Sequence, residues 1–165
     1  MYSLAVKNRA TQFIKDYGNG IAQAIRGTGL FFPAIVAQKA LESSWGTSGL
    51  TKEANNFGGI KYNPNLQGVT GFVTKDTMEY VRGKKVVVKQ RFSKFKDVES
   101  GIRATIQVLM GDRYKDARLK AKTPEEQILM IARAGYTTTP PQRYLNSLAG
   151  IIEATQDLTG LGRIY

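Results

Sequence analysis

One segment of this chain alternates in the manner of a β-hairpin, and the sequence on both sides of it has helical periodicity. Residues 77–81 and 85–92 are rich in β-branched and aromatic side chains and flank the turn segment 82–84, which predicts two antiparallel strands. An earlier strand is predicted over residues 69–74. We therefore expect an α+β protein that is predominantly helical, with a small β lobe at about residues 69–95.

Capping residues and apolar stripes predict six helices around this lobe. They are predicted over residues 3–18, 21–25 and 33–46, and near the capping residues Asp97, Thr123 and Pro141. Residues 46–68 are rich in Gly, Asn, Ser and Pro and predict a structured loop with room for one helical turn. Since no repeat or linker divides the sequence, we expect a single domain over residues 1–165.

The chain contains no cysteine and no histidine. Disulfides and thiolate metal sites are therefore excluded, and so are the usual Ser-His and Cys-His catalytic pairs. Any acid–base chemistry must come from Asp, Glu, Tyr or Lys side chains. We predict no metal site and no cofactor.

Lys and Arg outnumber Asp and Glu by 24 to 13, which gives a net charge of +11. This charge favours polyanionic surroundings, such as nucleic acid or the anionic polymers of a bacterial cell wall, but dispersed lysines also simply solvate exposed faces. The longest mainly apolar run, residues 30–37, is too short to cross a bilayer. The N-terminal segment lacks the apolar core of a signal peptide, so we expect export by another route or a leader already removed.

Glu42 is the residue whose presence a packed core does not explain. It lies late in an apolar helical run, and Trp45, the only tryptophan, follows three residues later. Residues at this spacing share a helix face, so we expect the indole to lie beside the carboxyl group. An apolar neighbour favours the protonated form of a carboxylic acid, which a general acid needs near neutral pH. We therefore expect Glu42 to protonate a leaving group.

The segment Ala40-Leu41-Glu42-Ser43-Ser44-Trp45-Gly46 resembles a motif of glycoside hydrolase family 73, the bacterial peptidoglycan glucosaminidases. Residues 54–61, Ala-Asn-Asn-Phe-Gly-Gly-Ile-Lys, resemble a second motif of this family, and Glu79-Tyr80 and Gly135-Tyr136 resemble two weaker ones. The resemblance extends from about residue 30 to residue 158. Gly58 departs from it, because many relatives carry an aromatic residue at that position.

The resemblance implies a lysozyme-like fold in which a helical lobe and a β-hairpin lobe form a groove for a glycan. It implies hydrolysis of the β-1,4 bond between N-acetylglucosamine and N-acetylmuramic acid, with Glu42 as the general acid. Glu79 matches the second acidic residue of the family, and Tyr136 matches a tyrosine at the groove floor. Two mechanisms stay open: Glu79 activates water in an inverting reaction, or the acetamido group of the substrate attacks.

Six further side chains are predicted to contact the sugar. They are Trp45, Asn55, Asn56, Phe57, Tyr62 and Tyr80. Most have a structural alternative, because asparagines also form turns and aromatic side chains also anchor cores. For Glu79 the alternative is a cross-strand pair with Lys89 or another basic residue, and Asp76 is then the substitute for its catalytic role.

The nearest alternative function is a muramidase or lytic transglycosylase acting on the same polymer. An alternative of another class is a non-catalytic module that binds cell wall or nucleic acid through its basic surface. For the hydrolase we expect a monomer that acts on peptidoglycan at the cell wall or in the periplasm, without membrane insertion and without a specific nucleic-acid partner. Such a chain suits a phage enzyme, an effector delivered by another route, or a trimmed secreted domain.

Overall fold

A computed structural model describes residues 1–160 as seven α-helices and one β-hairpin. The helices are α1 (Leu4–Ile25), α2 (Phe32–Glu42), α3 (Gly49–Ala54), α4 (Val98–Leu109), α5 (Lys115–Lys120), α6 (Pro124–Ile131) and α7 (Pro141–Thr159), and the strands are β1 (Val69–Val81) and β2 (Lys84–Phe95). A 3₁₀ turn over Asp112–Tyr114 precedes α5, and a wide turn over Ala132–Tyr136 follows α6. The predicted predominantly helical α+β class is confirmed.

The core is built around α2, whose residues 32–40 are all buried. α1, α6 and α7 pack against it. A helix that is apolar on nearly every face must have neighbours on every side, which explains the central position of α2. Pro33 lies in its first turn as predicted. At the opposite end the helix leaves the core, because Leu41 is exposed and Glu42 is partly exposed.

α1 is one continuous helix, so the predicted break at Gly18 is wrong. Ser3 caps it as predicted and accepts a hydrogen bond from the Val6 backbone N–H at 3.2 Å. A side-chain carbon at Gly18 would lie 3.0 Å from Ile14 Cγ2 and 3.6 Å from the ring of Phe32. The tight contact is with Ile14, one turn earlier in the same helix, whereas the distance to Phe32 of α2 is an ordinary van der Waals contact. α1 therefore continues through this glycine at a helix cost of about 1 kcal/mol.

α2 ends at Glu42, four residues before the predicted end at Gly46. Ser44 and Trp45 have φ values of 50° and 61°, and Gly46 follows at 79°. Three left-handed residues in succession cannot continue a right-handed helix, so the chain turns away directly after Glu42. The prediction that Trp45 shares a helix face with Glu42 is therefore wrong.

Asp97 and Thr123 cap α4 and α6 as predicted. Asp97 accepts a hydrogen bond from the Ser100 backbone N–H at 2.7 Å, and Thr123 Oγ1 accepts one from the Glu126 backbone N–H at 3.1 Å. The Glu126 carboxylate in turn accepts from the backbone N–H of Lys122 at 2.9 Å rather than from the capping threonine. The Glu126 side chain of α6 thus bonds to the backbone one residue before the position used in the usual capping box.

β1 and β2 form one antiparallel hairpin, in which the two predicted strands 69–74 and 77–81 are a single strand. The turn residues Arg82 and Gly83 both have left-handed backbones, with φ values of 52° and 76°. Two-residue turns of this kind match the twist of the strands that they join. Within residues 1–160, no helix combines the length and the apolar character that crossing a membrane requires.

Candidate active site

Glu42 and Tyr136, which are 94 residues apart in sequence, meet at the C-terminal end of α2. The Tyr136 hydroxyl group donates a hydrogen bond to Glu42 Oε1 at 2.5 Å. The Glu42 side chain is 19% exposed and lines a cavity, while its Oε2 atom is buried. Burial, with the Glu42 carboxylate adding to it, raises the pKa of Tyr136 far above its ordinary value. The phenol therefore stays protonated and remains a hydrogen-bond donor.

The wide turn after α6 places Tyr136 against Glu42. Gly135 within this turn has φ of 95°, a left-handed conformation that side chains rarely adopt. The ring of Tyr136 packs against those of Tyr114 and Tyr144, with centroids 6.1 and 6.3 Å apart. These contacts fix the direction in which the hydroxyl group points.

Lys39, one turn before Glu42 on α2, was not predicted as a site residue. Its side chain is fully buried, and its Nζ lies 3.5 Å from Glu42 Oε2. Within residues 1–160, neither Lys39 Nζ nor Glu42 Oε2 has a partner at hydrogen-bond geometry. Burial lowers the pKa of Lys39, while the neighbouring Glu42 opposes this effect. A sequence signal was available, because a lysine inside a run that is apolar on every face is expected to be buried.

A cavity of about 440 Å³ opens beside Glu42, within the size range of about 300–1,000 Å³ that is usual for ligand sites. It is lined by Glu42, Gly58, Ile60, Thr105, Val108, Arg113, Tyr114, Gly135, Tyr136, Thr137 and Tyr144. A side-chain carbon at Gly58 would lie 3.0 Å from Thr105 Cγ2 and 3.4 Å from Glu42 Oε2. The glycine therefore leaves room next to the carboxyl group.

Asn55 and Asn56 attach the loop after α3 to the base of the hairpin. Asn55 Nδ2 donates to the backbone oxygen of Phe95 at 3.0 Å. Asn56 Nδ2 donates to the backbone oxygens of Ile60 and Ser93 at 2.9 and 3.0 Å, and its Oδ1 accepts from Ile60 N–H at 2.9 Å. Since Asn56 is 1% exposed and its amide is used by the backbone, its predicted sugar contact is wrong. Both asparagines act in the alternative way, as residues that shape the loop.

Phe57 and Trp45 pack on the core and do not line the cavity of Glu42. Phe57 is 1% exposed and meets Tyr17 edge-on with ring centroids 5.1 Å apart, so its predicted sugar contact is also wrong. Trp45 is half-buried, meets Phe13 with centroids 6.2 Å apart and lines a separate cavity against α1. A sugar contact through Trp45 would therefore lie outside the cavity of Glu42.

Glu79 lies on the hairpin, exposed and outside the cavity lining. It is paired in register with Val86 and shares a strand face with Lys75, whose amine contacts Glu53 of α3. This face of the hairpin therefore turns toward the helices. Glu79 is four residues closer to the hairpin turn than Lys75, a distance of about 13 Å at the usual rise of a strand. The structure does not bring Glu79 into the cavity of Glu42.

The remaining predicted contacts also lie on the β lobe. Tyr62 packs against Phe72 with ring centroids 5.1 Å apart, and the Arg91 guanidinium lies 4.5 Å from the centre of the Phe72 ring. Tyr80 is 74% exposed. Lys89, the alternative partner for Glu79, instead pairs with the Asp76 carboxylate at 3.8 Å. Tyr62 and Tyr80 stay predicted sugar contacts.

No set of three or more Asp, Glu, His or Cys side chains in residues 1–160 is placed to hold a metal ion. The chemical groups at the cavity are instead one carboxyl group, several phenols, a guanidinium group and a buried amine. This combination suits proton transfer by Glu42.

Comparisons with known proteins identify the family of the chain. A family model described as Glucosaminidase, mannosyl-glycoprotein endo-beta-N-acetylglucosaminidase, matches residues 18–157. Peptidoglycan hydrolase FlgJ of Pseudomonas aeruginosa is 32% identical over 127 residues, which cover 74% of this chain and 31% of that protein. Exo-glucosaminidase LytG of Bacillus subtilis is 30% identical over 149 residues, which cover 86% of this chain and 50% of that protein. The chain thus spans about a third to a half of the length of these relatives.

The fold is similar to that of the catalytic domain of the autolysin Auto from Listeria monocytogenes. The TM-score is 0.72 at 25% sequence identity, and the match covers 90% of this chain and 86% of that domain. It confirms the predicted combination of a helical lobe with one β-hairpin. Because the family model covers most of the sequence, this chain belongs to the glucosaminidase family of glycoside hydrolases.

Proposed function

We propose that this chain is a peptidoglycan hydrolase that cleaves the β-1,4 bond between N-acetylglucosamine and N-acetylmuramic acid. The observation that carries the proposal is the partly exposed Glu42 side chain, which accepts a hydrogen bond from Tyr136 beside an open cavity. The polymer is suggested by the relatives, since one is named a peptidoglycan hydrolase and another an exo-glucosaminidase. Residues 1–165 would act as one monomeric catalytic domain at the cell wall or in the periplasm.

In this proposal Glu42 is the general acid. Its proton passes to the glycosidic oxygen as the bond between that oxygen and the anomeric carbon breaks. The hydroxyl group of Tyr136 orients the carboxyl group through Oε1 and stabilises the carboxylate that is left behind, because a hydrogen bond to the charged form favours that form.

The second half of the reaction has two routes. In the inverting route Glu79 takes a proton from water, whose oxygen attacks the anomeric carbon. The carboxyl groups of such enzymes lie about 6.5–9.5 Å apart, so the hairpin would have to swing toward Glu42. In the substrate-assisted route the acetamido oxygen attacks the anomeric carbon, and water later opens the resulting ring. The exposed position of Glu79, outside the cavity lining, supports the second route.

Glu42→Gln tests the proposal, because it keeps the shape of the side chain and removes the transferable proton. We expect the rate of sacculus digestion to fall by about 100-fold or more. Glu53→Gln is the matched control, since Glu53 is an exposed glutamate that pairs with Lys75, and it should digest at the native rate. Undiminished digestion by the Glu42 variant would remove Glu42 from the mechanism.

Mass analysis of the native digest tests the bond that is cleaved. We expect reducing N-acetylglucosamine ends. Anhydromuramic ends would instead assign a lytic transglycosylase, and reducing muramic acid ends a muramidase. Strong DNA binding without any digestion would favour a non-catalytic basic module.

Glu79→Gln separates the two routes. A near-native rate is expected if the substrate assists its own cleavage. A loss as large as that of Glu42→Gln would establish Glu79 as the base that activates water.

A further inference from the structure

Lys39 is a buried charged residue that the mechanism above does not use. We propose that Lys39 is a positioning residue whose ammonium group stabilises the Glu42 carboxylate as it forms during proton transfer. This inference rests on the proposed role of Glu42 as the general acid. Lys39 promotes release of the proton from Glu42, whereas Tyr136 orients the same carboxyl group through its other oxygen.

The burial of Lys39 is the first observation. Lysine is almost never fully buried unless it is paired, because removing an ammonium group from water is costly. The Lys39 side chain has no exposed surface, and Nζ has no partner at hydrogen-bond geometry within residues 1–160. Its ion-pair contact is with Glu42 Oε2 at 3.5 Å. A lysine that served packing alone would not need its ammonium group beside the Glu42 carboxyl group.

The arrangement around the carboxyl group is the second observation. Tyr136 donates to Oε1, and Lys39 approaches Oε2, so the two oxygens of Glu42 face two different positively polarised groups. The phenol of Tyr136 therefore does not stabilise negative charge on Oε2. When Glu42 releases its proton, negative charge develops on both oxygens. The attraction to Lys39 grows with that charge, so it stabilises the transition state more than the ground state.

The titratable groups around the pair support the same assignment. Tyr136 follows α6 and Tyr144 lies on α7, and burial together with Glu42 raises the pKa of both phenols, which therefore stay neutral. On α1, burial also raises the pKa of Tyr17. Arg113 lines the cavity from the turn before α5, but it is exposed to water and its charge is screened. Among residues 1–160, Lys39 is the buried cation that contacts the Glu42 carboxyl group.

Lys39→Met is the test, since it replaces the buried amine with an apolar side chain of similar length. The fold should persist, because apolar residues replace buried ions without loss of stability in many proteins. We expect kcat on purified sacculi to fall about tenfold or more, with little change in KM. The alkaline limb of the rate profile should move to higher pH, because removing a neighbouring positive charge makes the carboxylate less favourable. Lys7→Met, at an exposed lysine of α1, is the control and should leave rate and profile unchanged.

The inference would be overturned if the alkaline limb did not move and the rate loss paralleled a loss of thermal stability. Lys39 would then be a structural residue. If Lys39→Met does not fold, the same limb is measured in Lys39→Gln. The double variant with Glu42→Gln should be no slower than Glu42→Gln alone, and an additive loss would also overturn the inference. A native-like Lys39→Met beside an inactive Glu42→Gln would reject only this inference, whereas an active Glu42→Gln would reject the proposed function.

Discussion

The hydroxyl group of Tyr136 holds the Glu42 carboxyl group from outside the helix that carries it. A tyrosine is suited to this position because its ring packs between Tyr114 and Tyr144 while its hydroxyl group reaches the carboxyl oxygen. The packing of the ring and the hydrogen bond of the hydroxyl group can therefore be separated by removing the hydroxyl oxygen.

Tyr136→Phe removes the hydrogen bond and keeps the ring. We expect the digestion rate to fall about 10- to 100-fold, since a hydrogen bond to a charged group contributes about 1.5–3 kcal/mol. The matched control is Tyr2→Phe, because the Tyr2 hydroxyl group also donates to a carboxylate, that of Asp157, at 2.6 Å. Kinetics on sacculi should show the loss only at Tyr136. A rate within twofold of native would contradict the role of the phenol.

Single residues differ in how far the sequence predicts them. Ser3 and Asp97 were predicted as caps because capping is local chemistry. Glu42 was singled out by its apolar surroundings, but only a family resemblance, and no spacing rule, linked it to Tyr136. Trp45 was misplaced because its left-handed backbone has no signature in its residue type. Its misplacement shows that a helix end cannot be located from a downstream glycine alone.

At the scale of elements, α4 and the loop after α3 approach each other unusually closely. A side-chain carbon at Gly101 of α4 would lie 1.7 Å from the backbone oxygen of Asn55. Asn55 in turn donates to Phe95 at the end of β2. The contact at Gly101 therefore positions the loop that lines the cavity and the base of the hairpin together.

Gly101→Ala should separate these elements. We expect a loss of about 3 kcal/mol, at the upper end of overpacking effects, because the obstacle is backbone and not a flexible side chain. That loss would lower the melting temperature by about 6–12 °C in a chain of this size. Gly111→Ala, where the nearest atom lies 3.6 Å from the added carbon, is the control. Equal melting temperatures for the two variants would contradict the close approach.

Elements that depend on local sequence chemistry were predicted, whereas features that depend on tertiary packing were missed. The hairpin turn was predicted at residues 82–84, and its two turn residues are Arg82 and Gly83, whose backbones are both left-handed. The break at Gly18 was predicted because glycine commonly ends a helix, but α1 continues through it to Ile25. Lys39 was missed as a site residue because its apolar neighbours in the sequence indicate burial but do not show that its amine lies beside Glu42.

At the scale of the whole molecule, the positive charge is concentrated on the β lobe. Residues 69–95 hold seven basic and two acidic side chains, a net charge of +5, out of +11 for the complete chain. Most of these side chains are exposed. A lobe of this charge should draw the enzyme to walls that carry anionic polymers.

Added salt should therefore slow digestion of native walls more than digestion of stripped walls. Raising the ionic strength from 0.01 to 0.15 M shortens the screening length from about 30 to about 8 Å, which weakens attraction between exposed charges. Turbidity assays on walls with and without their anionic polymers would measure the two rates. Equal salt dependence on both kinds of wall would contradict a role for the charge in wall attraction.

The two-stranded hairpin has a consequence for solubility. In the part of the chain that the structure describes, β1 and β2 form a sheet of only two strands, and residues 60–62 pair with β2 only at residues 91–93, so both strands have open edges toward the hairpin turn. Exposed edges can pair with those of another copy and lead to aggregation, and lysines on the edge oppose this. Lys84, Lys85 and Lys89 are exposed on β2. Neutralising these lysines should therefore cause self-association of the protein even where the chemistry at Glu42 is intact.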